Sequence, residues 1–314
     1  MSKLVPIDNI YVSTNHEYAH YVLEQLPELP RENVLSEPIH RNTAPSVAWV
    51  SYRVWRRDKQ ARMVVVPSDQ AVFKEDLFLK DISEGLDMVD QAHFVLALGI
   101  RPTRPEPGYG YLQTGESILP GKVFTVKSFT EKPDREFAKV FMDSGEFLWN
   151  TGLYVANVCH MLDCMHRIFP NVMLGNELLS NSIDLEKELL FIEENFPAYP
   201  NVSLDFGLMQ HYEDVRVMRC DFGWADLGMW HSVYESMRKS DDDNVVIDSN
   251  VLLDEAKGNI IKLPKGTLGI INQLDGYIVA LKDNVLLICK KGDSSALIRK
   301  YVNEVQLKYG SDFI

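Results

Sequence analysis

Apolar residues along this chain fall into two patterns: short continuous runs, and stripes at helical spacing. The run MVVV at 63–66 has strand length and is bounded by Pro67. Four apolar residues in succession suit a strand covered on both faces of a sheet. Residues 94–99 read the same way, and residues 9–14 (NIYVST) and 34–37 (VLSE) read as further strands. Between these runs, helical spacing covers 16–26, which ends before Pro27, then 46–56 and 73–89. Strands alternating with helices predict an α/β fold with a mainly parallel sheet. In such a sheet, ligands gather at the carboxyl ends of the strands.

Further along, glycine and proline punctuate 109–130, which reads as a β excursion. Helices follow over 135–144, started by Asp134, and over 158–168 and 185–194. The pattern changes after Arg238. An acidic turn at Asp241 to Asp243 leads into short β runs (NVVI, NVLLD, NIIKL, TLGIIN, GYIVAL, NVLLICK) and a last helix over 295–309. The chain therefore divides into residues 1–238 and a small β-rich unit, 239–314.

Composition narrows the function. The 314 residues are 46% hydrophobic and 25% charged, a globular profile. The formal charge of −13 argues against binding nucleic acid or an anionic membrane, since both need a basic face. A phosphorylated small molecule needs only a few local cations. The four cysteines form no CxxC pair and have no zinc spacing, which suits reduced thiols. The opening MSKLVPIDN is no signal peptide, and no apolar run reaches the ~20 residues of a membrane span. These features predict a cytoplasmic protein.

Six segments carry candidate chemistry. Asp69, in Pro67-Ser68-Asp69, stands at a strand's carboxyl end, where a carboxylate can hold a divalent cation beside phosphates. The same residue can equally cap the next helix. In Phe129-Thr130-Glu131-Lys132-Pro133-Asp134, a lysine ahead of a proline offers a point charge for a phosphate, and Glu131 an acceptor for sugar hydroxyls. Taken alone, this segment is a surface turn that opens a helix. Trp149-Asn150-Thr151-Gly152 supplies an amide that both donates and accepts, and a glycine that admits a ligand to the backbone, or simply a turn into a strand. Gly223 to Trp230 sets Asp226 between glycines and tryptophans, as a second metal carboxylate or within an aromatic packing corner. Glu37-Pro38 and Arg41-Asn42-Thr43-Ala44-Pro45 follow a strand and can read a base edge. Gly108-Tyr109-Gly110-Tyr111 again offers glycines for backbone contact.

Taken in order, EP..RNTAP, PSD, GYGY, FTEKPD, WNTG and GWADLGMW resemble the motif series of bacterial mannose-1-phosphate guanylyltransferases. That series reads approximately EP..RNTAPA, PSDH, GYGYI, F.EKPD, WNSG and GW.D.GSW. The resemblance spans residues 10–230, and RNTAP points to the guanylyl branch over thymidylyl and uridylyl relatives. It implies a Rossmann-like sheet of the nucleotide-diphospho-sugar transferase type, with a small β-rich C-terminal domain that often resembles a left-handed β-helix turn. It implies that Asp69 and Asp226 hold magnesium and that Lys132 holds the sugar phosphate, these three being catalytic. By the same resemblance Glu131, Gly110, Asn150 and Gly152 contact the sugar, and Glu37, Arg41, Asn42 and Thr43 lie where guanine is held. The family's SIDYAVME appears as VSLDFGLM at 202–209. Gln70 replaces a histidine of the pattern, and Met229 a serine.

The implied reaction transfers GMP from GTP to mannose 1-phosphate, giving GDP-mannose and pyrophosphate, in an enzyme for which a homodimer is compatible. Two alternatives stay open: another hexose 1-phosphate as acceptor, or a noncatalytic module that binds sugar nucleotides. The second draws on the front of the chain. The family's opening GG.G.RLWP.SR loop and PKQF segment do not occur within residues 1–314. From this the resemblance predicts poor turnover or none for these residues, with either marginal stability or self-association, and the end at Ile314 predicts no isomerase activity.

Overall fold

A computed structural model describes residues 1–90, 93–169, 184–209 and 212–313. The elements follow in chain order: β1 (Val12–Asn15), α1 (Ala19–Gln25), β2 (Val34–Glu37), α2 (Thr43–Arg57), β3 (Arg62–Val65), β4 (Gln70–Val72), α3 (Glu75–Met88) and β5 (Val95–Ile100). Next come β6 (Gly110–Leu119), β7 (Val123–Glu131), α4 (Arg135–Ser144), β8 (Phe147–Asn157), α5 (Val158–Ile168) and α6 (Leu185–Asn195). After them come α7 (Leu204–Met209), β9 (Val215–Cys220), β10 (Trp224–Asp226) and α8 (Trp230–Ser236). Short polar side chains start several helices: Asp134, as the sequence predicts, accepts from Phe137 N at 2.9 Å ahead of α4, and Asn157 accepts from Cys159 N at 2.9 Å ahead of α5.

Six strands form the central sheet in the order β3-β8-β5-β9-β7-β6, with a second small sheet, β1-β2, beside it. The α/β class is as expected, but the sheet is mixed. Within it only β5 and β9 pair in parallel, because the long β8 lies antiparallel between β3 and β5 and also pairs β6. Side chains alternate between two cores on opposite faces. Val95 and Ala97 of β5 join Trp49 of α2 and Met161 of α5, while Leu96 and Leu98 join Phe78 and Ile82 of α3. Tyr154 and Ala156 of β8 share the first core, Leu153 and Val155 the second. A strand covered on both faces is apolar throughout for this reason.

The MVVV run departs from that expectation. β3 is the outer strand of its sheet, Val64 and Val65 are half-buried, and Val66 is 39% exposed. A groove of about 580 Å³ runs beside it, lined by Tyr11, Val50, Val54, Met63 and Val64 among others.

Residues beyond α8 form parallel coils. The strands are β11 (Val245–Ile247), β12 (Asn250–Asp254), β13 (Ile260–Lys262), β14 (Leu268–Asn272), β15 (Tyr277–Lys282) and β16 (Val285–Lys290), followed by α9 (Ser294–Tyr309). β11 pairs β13, β13 pairs β15 and β12 pairs β14, all in parallel, and β16 closes the set antiparallel to β15. Asn259, fully buried, donates to Asn244 Oδ1 at 2.9 Å and to the Leu274 carbonyl at 2.8 Å, so the coils are joined by amide bonds inside the stack. Lys291 sits 3.1 Å from the centre of the Tyr234 ring of α8, fastening the coils to the preceding residues. Among the described residues no helix is long and apolar enough to cross a membrane.

One buried charge cluster ties α6 to α2. Glu188 is 1% exposed and accepts from Trp49 Nε1 at 2.7 Å, from Arg53 at 2.7 Å and from Arg56 at 2.8 Å. Two arginines and an indole compensate one desolvated carboxylate, and removing it takes that carboxylate partner from both arginines. Glu188→Ala is expected to lower unfolding free energy by about 3 kcal/mol in urea titrations. A loss under about 1 kcal/mol, the scale of an exposed pair, would show the cluster to be dispensable.

Candidate functional site

Polar groups concentrate where the sheet's strands end. Register places Glu131 of β7 opposite Gly110 of β6, Gly110 opposite Asn150 of β8, and Asn150 opposite Gly99 of β5. Glu131, Gly110 and Asn150 thus stand side by side across three strands. A β-carbon at Gly110 would lie 2.9 Å from Glu131 Oε2 and 2.8 Å from the Phe129 ring, so the gap between Glu131 and Asn150 stays open only for glycine. Lys132 follows at φ +46°, its amide held by the Tyr109 carbonyl at 3.2 Å and its ammonium 2.8 Å from Glu131.

A second device brings in the carboxylates. β4 and β10 pair antiparallel with Gln70 opposite Asp226, and Leu227 N donates to the Asp69 carbonyl at 2.8 Å. Asp226 Oδ1 accepts from Gly228 N at 2.8 Å. A β-carbon built on Gly228 would lie 3.0 Å from Asp226 Oδ1 and 3.7 Å from Asp69 Oδ2, so the two carboxylates bracket one small space. Burial and then the neighbouring Asp69 charge push the Asp226 carboxyl above its usual range, against the opposing pull of the Gly228 amide and Lys132.

Gln70 fastens this clasp to the row. Its Oε1 accepts from Trp224 Nε1 at 2.8 Å, and its Nε2 donates to the Thr151 carbonyl. Gly152, at φ +71°, lies against Pro67, where a β-carbon would come within 3.2 Å of the ring. The residue that departs from the PSDH pattern therefore has a structural task. Gly108, expected to leave its backbone open, instead faces Met229, whose methyl occupies the space of any side chain there.

The loop at 37–43 is differently employed. Glu37 is 5% exposed and accepts from Ser13 Oγ at 2.7 Å. Arg41 donates to the Pro197 carbonyl at 3.1 and 2.5 Å. Asn42, at φ +65°, caps α2 by accepting from Thr43 N at 3.0 Å, and Thr43 Oγ1 accepts from Leu204 N at 2.8 Å. The structure thus joins this loop to the 197–204 segment, while Asp69, Asp226, Lys132, Glu131, Gly110, Asn150 and Gly152 meet at the strand ends.

Sequence reasoning passed over other residues here. Glu106, 5% exposed, accepts from Gly108 N at 3.0 Å and from Arg104 at 3.3 Å. The Arg104 guanidinium lies 5.1 Å from the Trp149 ring centre and 5.8 Å from that of Tyr109. A charged pair among prolines just after a strand was the available signal. Asp205 was visible only as part of VSLDFGLM, and its bonds to Asn150 and Tyr154 depend on folding. Among the described residues no group of three or more His, Cys, Asp or Glu converges on one point. The Asp69–Asp226 pair is the smaller set that suits an oxygen-seeking cation with water and phosphate as further ligands.

Comparison with known proteins gives a consistent picture. The nucleotidyl transferase family model matches residues 1–243. Mannose-1-phosphate guanylyltransferase 2 of Escherichia coli O157:H7 is 30% identical over 96% of this chain and 64% of its own length. A Salmonella typhimurium mannose-1-phosphate guanylyltransferase is 30% identical over 90% of this chain and 60% of its own. The chain thus spans about three fifths of the length of these relatives. A Thermus thermophilus crystal structure, named as a mannose-1-phosphate geranyltransferase, superposes with a TM-score of 0.76 at 24% identity, covering 97% of this chain and 86% of that one. At that identity the likeness speaks for the fold.

The raised Asp226 pKa has a consequence for stability. A carboxyl held above its unfolded value costs nothing below about pH 4, where both states are protonated, and costs most once the pH exceeds the folded value. Asp226→Asn keeps the oxygen that accepts from Gly228 N and removes the charge. It is expected to raise the melting temperature at pH 7.5 by about 1–3 °C, with the gain shrinking as pH falls towards 4. Scanning calorimetry at several pH values checks this, and a melting temperature lowered at pH 7.5 would contradict it.

Proposed function

We propose that this chain, which belongs to the nucleotidyl transferase family, transfers GMP from GTP to mannose 1-phosphate, giving GDP-mannose and pyrophosphate. The observation that carries the reading is the meeting of the Glu131–Gly110–Asn150 row with Lys132 and the paired carboxylates of Asp69 and Asp226. In this reading residues 1–238 carry the chemistry and 239–314 form a small β-rich unit beside it. Four free thiols, three of them buried, suit the cytoplasm as its compartment.

The roles follow from the side chains. Glu131 and Asn150 accept hydrogen bonds from sugar hydroxyls across the gap that Gly110 leaves open. Lys132, fixed by its strained backbone and by Glu131, offsets the charge of the sugar phosphate. An oxygen of that phosphate attacks the α-phosphorus of GTP in line, and pyrophosphate leaves. The protein's part is to align two anions that repel one another. Asp69 and Asp226 fit magnesium: both are oxygen donors, and their mutual repulsion is relieved by a shared cation. When bound, the ion neutralises phosphate charge. The loop holding Glu37, Arg41, Asn42 and Thr43 takes the guanine, with the scaffold bonds of those side chains fixing its shape.

A pyrophosphate-release assay with GTP, mannose 1-phosphate and magnesium tests the reaction, with product identified as GDP-mannose. Asp69→Asn and Asp226→Asn are each expected to lower the rate by about a hundredfold or more, equivalent to ~2.7 kcal/mol of transition-state stabilisation. Lys132→Ala is expected to weaken mannose 1-phosphate binding by about tenfold or more, with GTP affinity changed far less. Calorimetric titration gives both affinities without turnover. GTP affinity falling alone in Lys132→Ala would remove the lysine from the sugar side. Binding of GDP-mannose without turnover would turn the reading to a noncatalytic module, and preference for another hexose 1-phosphate would change the acceptor.

A further inference from the structure

Asn150 is held by partners that decide how its amide faces a ligand. Its Nδ2 lies 2.5 Å from Asp205 Oδ1 and 3.2 Å from Tyr154 Oη. Tyr154 Oη in turn donates to the same Asp205 oxygen at 2.6 Å. A carboxylate only accepts, so the amide must turn its nitrogen towards Asp205. Both partners lie on one side of Nδ2, only 2.6 Å from each other, so they share one of its hydrogens. What remains for a ligand is the other N–H and Oδ1, which accepts from Gly152 N at 3.3 Å.

The holders are themselves rigid. Tyr154 is 1% exposed and stands opposite Val65 of β3 and Ala97 of β5. Burial, with Asp205 close by, pushes its phenol well above the usual range, so it remains a donor. Asp205 lies in the first turn of α7, whose entry is pinned to the start of α2. Leu204 N donates to Thr43 Oγ1 at 2.8 Å, and Ala44 N to the Val202 carbonyl at 3.1 Å. A β-carbon on Gly207 would come within 2.7 Å of Ile168 in α5, so α7 cannot shift away without losing that packing.

We propose that Asp205 is a positioning residue for the acceptor side of the site. It orients the Asn150 amide so that Oδ1 and one N–H are left for the ligand, beside the acceptor carboxylate of Glu131. The group recognised there is then a hydroxyl, as on a polyol ring, which can donate to Oδ1 and accept from the remaining N–H. Because α7 hangs on Thr43, the same contacts link the shape of the 37–43 loop to the orientation of Asn150. This inference rests on the sugar-phosphate reading of the site, and its test separates the two.

The test uses Asp205→Ala and Asp205→Asn in the full chain. Calorimetry gives affinities for mannose 1-phosphate and for GTP, and selective ¹⁵N-asparagine labelling follows the Asn150 side-chain amide, identified by its loss in Asn150→Asp. In the parent chain the amide proton held on Asp205 is expected to exchange slowly, and in Asp205→Ala rapidly. Asp205→Ala should weaken mannose 1-phosphate binding by about tenfold to a hundredfold, with GTP affinity held within about twofold. Asp205→Asn retains an acceptor oxygen and should recover part of the loss, which separates lost orientation from lost fold. Equal weakening of both ligands would make Asp205 a structural residue only and overturn the proposal. An Asn150 amide signal unchanged in Asp205→Ala would also overturn it, whatever the ligands do. A parent chain that takes up no mannose 1-phosphate would overturn the sugar-phosphate reading, and the amide exchange would still decide whether Asp205 positions Asn150.

Discussion

Two carboxylates that repel each other, Asp226 half-buried and Asp69 exposed, are held beside one small space, and the strand ends of this fold are arranged around that constraint. Asp69 ends the loop after β3, and Asp226 ends β10, more than a hundred and fifty residues later. Left free, they would separate into solvent. The short β4–β10 ladder prevents this, with the Leu227 amide bonded to the Asp69 carbonyl and the Gly228 amide on the Asp226 carboxylate. Gln70 joins the clasp to β8 through Trp224 and Thr151. Burial first, and then the Asp69 charge, push the Asp226 carboxyl upward. In the function proposed above, a cation shared by the two carboxylates relieves that cost.

The sheet explains why this chemistry lies at its rim. Along β5, β8 and β9 successive side chains enter opposite cores, so the middle of each strand is committed to packing. The polar groups of the site gather where β5, β6 and β7 begin or end, beside Asn150 and Thr151 of β8, and there register decides who meets whom. The glycine at 110 is part of the same logic: it sits between two acceptors, where a side chain would push Glu131 aside.

Much of this was legible in the sequence because the relevant signals were local. The helix start at Asp134 and the strand–helix alternation need only neighbouring residues. The ordered motifs named the residues that meet at the rim. What was illegible depended on distant partners. β8 reads as a turn followed by a β-like stretch, yet it pairs with three other strands and makes the sheet mixed. MVVV has the composition of an interior strand but lies at an edge, because composition records burial propensity and not neighbours. Arg41 and Thr43 look like free polar side chains, but their partners, Pro197 and Leu204, lie over a hundred and fifty residues away. In the sequence Gln70 is only a replacement for the histidine of the pattern, and the fold shows both ends of its amide in use.

The balance of donors and acceptors at the rim narrows what the site can hold. Glu131, the Asn150 oxygen, Asp69 and Asp226 all accept. Lys132 brings a positive charge there, and it is already paired with Glu131. Arg104 is committed to buried Glu106 and to two aromatic faces. A bare anion would find such a surface repulsive, the more so in a chain of net charge −13. A neutral polyol without phosphate would leave the paired carboxylates uncompensated. The ligand that suits all of these groups presents hydroxyl donors to Glu131 and Asn150, and a phosphate to Lys132 and to a cation shared by Asp69 and Asp226. A flat base lacks the first, and an inorganic phosphate lacks both hydroxyls and ring. The sugar phosphate proposed above carries each feature on one small molecule, and in that reading the acceptor-rich row and the like-charged pair serve one ligand together.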